Sequence, residues 1–246
     1  MSYLLIDNSN TRTKFALHVP GREIELRVMP TADISVPSVQ KVLEGWSFES
    51  VCLCSVVPWA VAPLREACGG AEVQMLDSSV SDAVDFSDYA GLATLGADRV
   101  ANVLAAVRRA ELPLVAVDAG TATTFDVVVS KQGKPRFAGG VIAPGINAMA
   151  GCLHYHTAQL PIVRDWQSVP VIGGDTAAAM GSALRIGYPA MVDAILDSIE
   201  LELGQSIHVI MTGGDAAALL PLLRRPCQEV PLLTLEGIAL AAGICL

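Results

Sequence analysis

Cations are scarce in this chain. Sixteen Lys and Arg stand against 25 Asp and Glu in 246 residues, a formal net charge of −9. A nucleic-acid backbone needs a basic footprint, so no nucleic-acid partner is expected. Isolated cations such as Lys14, Arg99 and Arg185 remain for a small anionic ligand. No apolar run reaches the ~18 residues of a membrane span, so no membrane partner is expected either. The N-terminus carries no basic segment followed by an apolar stretch, which reads against secretion and for the cytoplasm. The six cysteines (Cys52, Cys54, Cys68, Cys152, Cys227, Cys245) include no C-x-x-C pair and no zinc spacing. They read as buried thiols of a reducing compartment, with Cys52 and Cys54 on one face of a strand. Two nucleotide-binding signatures are also missing. The absence of a Gly-x-x-x-x-Gly-Lys-Ser/Thr loop argues against a P-loop kinase. The absence of Gly-x-Gly-x-x-Gly between strand and helix argues against a dinucleotide oxidoreductase. What is present is 52% hydrophobic and 17% charged, the composition of a well-buried chain of one large or two modest domains.

The chain is organised around Val115-Ala116-Val117-Asp118-Ala119-Gly120-Thr121-Ala122-Thr123-Thr124-Phe125-Asp126-Val127. An apolar strand runs into an aspartate, turns through small residues and leaves as a second strand. Such a turn gathers N–H groups and hydroxyls beside a carboxylate, a set that suits a phosphate and its metal. The same design opens the protein at Leu4-Leu5-Ile6-Asp7-Asn8-Ser9-Asn10-Thr11-Arg12-Thr13-Lys14. A shift of 111 positions lays Asp7 on Asp118, Ser9 on Gly120, Asn10 on Thr121 and Thr13 on Thr124. The pair suggests duplicated domains with a nucleotide cleft between them, whereas either turn alone reads as a surface hairpin.

Strands are expected at 3–8, 12–19, 22–28, 51–57 and 71–76, with helices at 36–46 and 58–68. Residues 77–95 lack a period and read as a loop able to cover a site. A helix over 97–110 carries Val100, Val103, Leu104 and Val107 on one stripe. Pro113 then opens the second half. There the pattern gives strands at 114–119, 123–130, 135–142 and 208–212, and helices at 146–155, 215–223 and 235–245. A long helix over 176–203 should break near Gly187-Tyr188-Pro189. Each half thus reads βββαβαβα, placing the domains at 1–112 and 113–246.

Four motifs stand in order. They are Asp7-Asn8-Ser9-Asn10-Thr11 with Lys14, Gly96-Ala97-Asp98-Arg99, Asp118-Ala119-Gly120-Thr121-Ala122-Thr123, and Gly139-Gly140-Val141-Ile142-Ala143-Pro144-Gly145; a weaker Thr212-Gly213-Gly214-Asp215 follows. On these the chain resembles the type III pantothenate kinases, of the acetate kinase, sugar kinase, Hsp70 and actin superfamily. The resemblance implies an α/β fold of duplicated ribonuclease-H-like (actin-like ATPase) domains. It also implies ATP-dependent phosphorylation of pantothenate to 4′-phosphopantothenate, the first step of coenzyme A biosynthesis, by a homodimer. Asp7, Asn8, Ser9, Asn10, Thr11, Arg12, Thr13, Lys14 and Thr121 would bind ATP, with Asp7 holding Mg²⁺ directly or through water. Asp118 would bind a monovalent cation, potassium or ammonium. Tyr89, Gly96, Ala97, Asp98, Arg99 and Thr176 would bind pantothenate. Two positions depart from the family: Ser9 stands where Gly is usual, and Leu92 where Pro is common.

Asp98 opens a helix, where the dipole favours an ionised carboxylate able to take a proton from an attacking hydroxyl. Read alone it is a capping aspartate, and Thr176 is likewise a substrate contact or an N-cap. Arg99 offers a planar fork for a carboxylate or phosphate, or else a surface salt bridge. His154 and His156 lie two apart on a helix, point to different sides and read as surface or interface residues. The rival readings are a binding or regulatory protein of the same fold with weak transfer, and a related kinase for another hydroxylated small molecule.

Overall fold

The computed structural model describes residues 1–77 and 82–244. The first half contains β1 (Tyr3–Asn8), β2 (Arg12–His18), β3 (Glu25–Pro30), α1 (Val36–Leu43), β4 (Ser50–Ser55), α2 (Pro58–Ala67), β5 (Glu72–Met75) and α3 (Ala97–Ala106). The second contains β6 (Leu114–Ala119), β7 (Ala122–Lys131), β8 (Lys134–Pro144), α4 (Ile146–His156), α5 (Thr176–Leu203), β9 (His208–Thr212), α6 (Ala216–Leu219), β10 (Gln228–Glu229) and α7 (Leu233–Ala241). Strand order is β3-β2-β1-β4-β5 in one sheet and β8-β7-β6-β9-β10 in the other. Both sheets therefore set their third, second, first, fourth and fifth strands side by side. This is the duplicated ribonuclease-H-like α/β architecture, with βββαβαβα in each half once α4 and α5 count as one helical layer.

The chain forms two compact units. Unit 1 comprises Met1–Ala110, Val128–Ala138 and Leu232–Leu246; unit 2 comprises Glu111–Val127 and Gly139–Pro231. In unit 1, β1 is central, antiparallel to β2 and parallel to β4. A strand covered on both faces needs a nearly continuous apolar run, and Leu4-Leu5-Ile6 supplies it. Leu4, Ile6, Val51 and Leu53 pack with Val39 and Leu43 of α1 and Ala60 and Leu64 of α2. Side chains alternate along a strand, so Leu5, Asp7, Cys52 and Cys54 take the opposite face. There α7 packs on β1 and β4, and α3 on β4. A Cβ at Gly237 would overlap the Ala101 carbonyl, so glycine is what lets α3 and α7 approach. In unit 2, β6 is parallel to β9, and α5 buries Tyr188, Val192 and Leu196.

Several boundaries differ from expectation. The third strand lies at Glu25–Pro30 rather than 22–28. Helix α5 runs unbroken through Pro189 for 28 residues. A mid-helix proline costs about 3 kcal/mol in lost hydrogen bonding and ring crowding. Pro189 is itself buried, and burial of Tyr188, Val192 and Leu196 beside it offsets that cost. The last helix runs Leu233–Ala241 instead of 235–245, and Cys245 lies outside the described residues. Strand β10 has two residues and no alternating pattern to announce it. Within the 77–95 segment, 78–81 lie outside the described residues, and Leu92–Thr94 forms a short 3-10 turn.

Candidate active site

Asp7 ends the central strand of unit 1 with only 2% of its surface exposed. Burial of an ion demands partners. Lys14, its neighbour across the β1–β2 ladder, places Nζ 3.2 Å from Oδ2, and Ser9 Oγ donates to Oδ1 at 2.9 Å. Asn8 and Thr13 face each other one step on, and Asn8 Nδ2 donates to Thr13 Oγ1 at 2.8 Å. Thr13 Oγ1 and Thr31 Oγ1 are hydrogen-bonded at 2.9 Å, and Thr31 Oγ1 donates to the Ser9 carbonyl at 2.6 Å. Ser55 Oγ closes the network on Asn8 Oδ1 at 2.6 Å. Asn10, Thr11 and Arg12 stand exposed at the tip of this rigid base. Each Asp7 oxygen keeps a lone pair beyond these contacts, which fits Mg²⁺ held through water. No group of three or more His, Cys, Asp or Glu able to hold a metal occurs among the described residues. Mg²⁺ on nucleotide phosphates needs only one or two carboxylates.

Asp98 sits in the first turn of α3 behind Gly96, the N-cap. Asp98 Oδ1 accepts the Arg99 N–H at 2.8 Å. A Cβ on Gly96 would stand 2.5 Å from that same oxygen, so glycine leaves the space the carboxylate fills. Burial raises the Asp98 pKa; the Arg99 N–H pulls it down, the Asp7 charge raises it and the Arg99 charge lowers it, for a net upward shift. Cys54, beside Asp7 in the sheet, feels both carboxylates. Burial first, then Asp7 and Asp98, lift its thiol well above the ordinary value and keep it neutral. Two acids and a silent thiol therefore share one corner of unit 1.

Arg99 is buried, its guanidinium 5.7 Å from the Phe137 ring centre. Tyr89 meets the same ring edge-on at 5.0 Å, and Phe86 lies 5.4 Å from it. Asp85 sits opposite Arg136 in a parallel bridge, its N–H donating to the Pro135 carbonyl and its carbonyl accepting the Phe137 N–H, and Asp88 forms ion pairs with Arg136 and Lys131. The loop carrying Tyr89 is thus pinned to the β7–β8 hairpin inside unit 1, bringing Tyr89 and Arg99 to one aromatic ring. Gly96 and Ala97 complete the entry to α3.

Unit 2 holds Asp118, Thr121 and Thr176. Asp118 ends β6 half-exposed, and Thr121 lies exposed on the turn. Gly145, at the start of α4, has no room for a Cβ against the Gly120 carbonyl, and its N–H reaches the Thr121 carbonyl at 3.3 Å. Gly213, with φ of +102°, packs equally tightly on Ala119, whose carbonyl accepts the Asp215 N–H at 2.9 Å. Two of the sequence motifs therefore clamp the turn of a third. Thr212 neighbours Asp118 in the β6–β9 register, and its hydroxyl is buried without a partner.

The two turns differ in length. Ser9 N–H bonds the Arg12 carbonyl, three residues on, whereas Gly120 N–H bonds the Ala122 carbonyl, two on. The second turn is one residue shorter, so beyond it the offset between halves drops by one. Thr13 therefore corresponds to Thr123, not Thr124. Burial agrees: Thr13 and Thr123 are both fully buried, while Lys14 and Thr124 are partly exposed. Thr176 does not cap α5; Asp175 does, accepting the Ala178 N–H at 2.8 Å, and Thr176 stands exposed beside it. His154 is half-buried and His156 exposed. Thr31, Ser55 and Tyr188 carry no sequence motif, since a lone hydroxyl announces nothing, and Thr212 stands in the Thr212-Gly213-Gly214-Asp215 motif with no signal for its own role. Asp215 had a signal, the second Asp after Gly-Gly.

A family model described as type III pantothenate kinase matches residues 3–198. A type III pantothenate kinase of Akkermansia muciniphila is 39% identical over 253 residues, covering 99% of each chain. That of Methylacidiphilum infernorum is 35% identical, covering 98% of this chain and 88% of its own. Among solved structures, a ROK family glucokinase from Streptomyces griseus in complex with glucose and AMPPNP superposes with a TM-score of 0.56. It is 12% identical and covers 97% of this chain and 98% of its own, a likeness of fold alone.

Proposed function

This chain belongs to the type III pantothenate kinase family, and from that premise we propose how its residues divide the work of phosphoryl transfer. The reaction is ATP-dependent phosphorylation of pantothenate to 4′-phosphopantothenate, the entry to coenzyme A. The pantothenate hydroxyl oxygen forms a bond to the γ-phosphorus, the bond to the β–γ bridging oxygen breaks, and ADP leaves. Asp98 takes the hydroxyl proton. The observation that carries this assignment is the carboxylate lodged in the space left by Gly96. Its raised pKa gives the carboxylate greater basicity than an exposed aspartate has.

The turn Asp7–Lys14 holds ATP phosphates through Ser9, Asn10, Thr11 and Arg12, the buried Asn8 and Thr13 brace it from beneath, and Asp7 would hold Mg²⁺. Mg²⁺ neutralises charge on the transferring phosphoryl group when bound. Thr121 contacts ATP from the second turn. Tyr89, Gly96, Ala97, Arg99 and Thr176 bind pantothenate, with Arg99 matching its carboxylate. Asp118 takes a monovalent cation, potassium or ammonium. Support for this comes from the Thr212 hydroxyl beside it, a buried oxygen with no hydrogen-bond partner and of the type that such ions prefer. At the corresponding place beside Asp7 stands Cys54, a poor ligand for such ions.

Residues 1–112 and 113–246 are taken as the duplicated domains, a division supported by the shared strand order of the two sheets. A homodimer is supported by the exposed apolar side chains of unit 2, including Ile142, Leu153, Tyr155, Val171, Ile172 and Ile186. No helix among the described residues is long and apolar enough to cross a membrane. Cytoplasmic residence is supported by the five described cysteines, all free thiols. The test is purified protein with ATP, Mg²⁺, potassium and pantothenate, with product identified by mass. Phosphopantothenate and ADP in equal amounts are expected. Pantothenate acting no better than glucose refutes the function, and unchanged turnover in Asp98→Asn refutes the assigned base.

A further inference from the structure

Each turn is followed by a fully buried threonine at the start of its second strand, Thr13 in one half and Thr123 in the other. A buried hydroxyl needs a partner, because leaving one unsatisfied costs about 1–3 kcal/mol. In unit 1 its partners are Asn8 and Thr31, and Thr31 also reaches the Ser9 carbonyl and so ties the strand to its turn. In unit 2 the partner comes from a distant part of the chain. Tyr188, fully buried on α5, places its hydroxyl 2.8 Å from Thr123 Oγ1.

We propose that Tyr188 is a positioning residue for the second turn, fixing Thr123 and through it the nucleotide-binding loop that begins at Asp118. This rests on the reading that the turn binds ATP. The phenol stays protonated: burial raises its pKa, the Thr123 bond lowers it, and the Asp215 and Asp118 charges raise it further. The hydroxyl contact itself places Tyr188 against the first residues of β7, where the chain leaves the turn. A helix supplies the bond, so the loop is braced from outside the sheet. Continuity of α5 through Pro189 matters for the same reason, because a break there would release Tyr188.

The test is the affinity of each protein for Mg²⁺ with AMPPNP, measured by calorimetry, alongside the thermal midpoint and pantothenate affinity. Tyr188→Phe keeps the ring and removes one hydroxyl; Thr123→Val removes the other; Thr123→Ser retains it. Nucleotide affinity is expected to fall about tenfold in Tyr188→Phe and in Thr123→Val. Pantothenate affinity should stay within twofold, Thr123→Ser should match the parent, and the double variant should be no worse than either single. A purely structural hydroxyl would lower the midpoint and leave nucleotide affinity within twofold in both single variants, which overturns the proposal. Additive losses in the double variant overturn it too. Failure of the parent protein itself to bind the nucleotide overturns the underlying reading, and the proposal with it.

Discussion

Replacing Gly96 by alanine separates catalysis from stability. The Gly96 backbone has φ −60° and ψ 138°, which alanine adopts without strain. The new methyl would lie 2.5 Å from Asp98 Oδ1, and ordinary contact begins at 3.4 Å. The oxygen must therefore retreat by about 0.9 Å (3.4 − 2.5). It is the end of a flexible side chain, so the fold yields cheaply. An off-rotamer torsion costs about 0.5–1.5 kcal/mol. Reduced chain entropy in the unfolded state returns about 0.4–1 kcal/mol. The net change is within about 1 kcal/mol, or roughly 2–4 °C in Tm for a chain of this size. Catalysis has no such margin, because an ångström of misplacement costs on the order of 100-fold. Expected in a coupled ADP-release assay is a kcat reduced about 100-fold with KM for ATP nearly unchanged. A kcat within threefold of the parent, or a Tm collapse accompanying the loss, refutes the argument that Gly96 exists to house the carboxylate.

Asp98→Asn should be more stable than the parent at pH 8. The folded pKa is raised, so this carboxyl's stabilising contribution is present at low pH and lost as pH rises through that value. The gap should close below the ordinary carboxylate range, and urea titrations across pH 4–8 check it. The same shift places the acid limb of the parent's kcat/KM profile above that of an exposed aspartate; a limb at the ordinary position counts against Asp98 as base. Lys14→Met leaves buried Asp7 with Ser9 as its remaining named side-chain partner and should cost about 1–3 kcal/mol by urea unfolding. Thr212→Val should abolish the thermal stabilisation that potassium chloride gives over choline chloride; retention of the full effect removes Thr212 as a ligand.

Much of the fold was legible because local chemistry announces it. The run Leu114–Ala119 has one reading, an apolar strand ending at an acid, and β6 occupies those residues. The repeat of strand, acid and turn disclosed the duplication. Strand order did not follow, since pairing is set by long-range packing rather than by residues within one strand. Pro189 misled because a local rule about helix breaking competes with burial that only the tertiary structure reveals. The offset between halves changes within the turn, where one missing residue shifts every later pairing and only the turn hydrogen bonds and burial expose the slip. At the candidate site, acids and glycines stood out by motif. Thr31 and Tyr188 did not, because their meaning lies in what they touch.

Helix α7 has a consequence for synthesis. It rests on α3, β1 and β4, closely enough that Gly237 has no space for a methyl, yet it follows the whole of unit 2 in sequence. Domains commonly fold in the order they leave the ribosome. Here the first-made sheet waits, with the part of its face that α7 covers left open, until residues 232–246 have been made, while residues 111–127 and 139–231 have already emerged. Nascent chains halted before residue 232 should therefore carry a finished second unit and an open first one, a sticky intermediate whose lifetime is set by elongation speed.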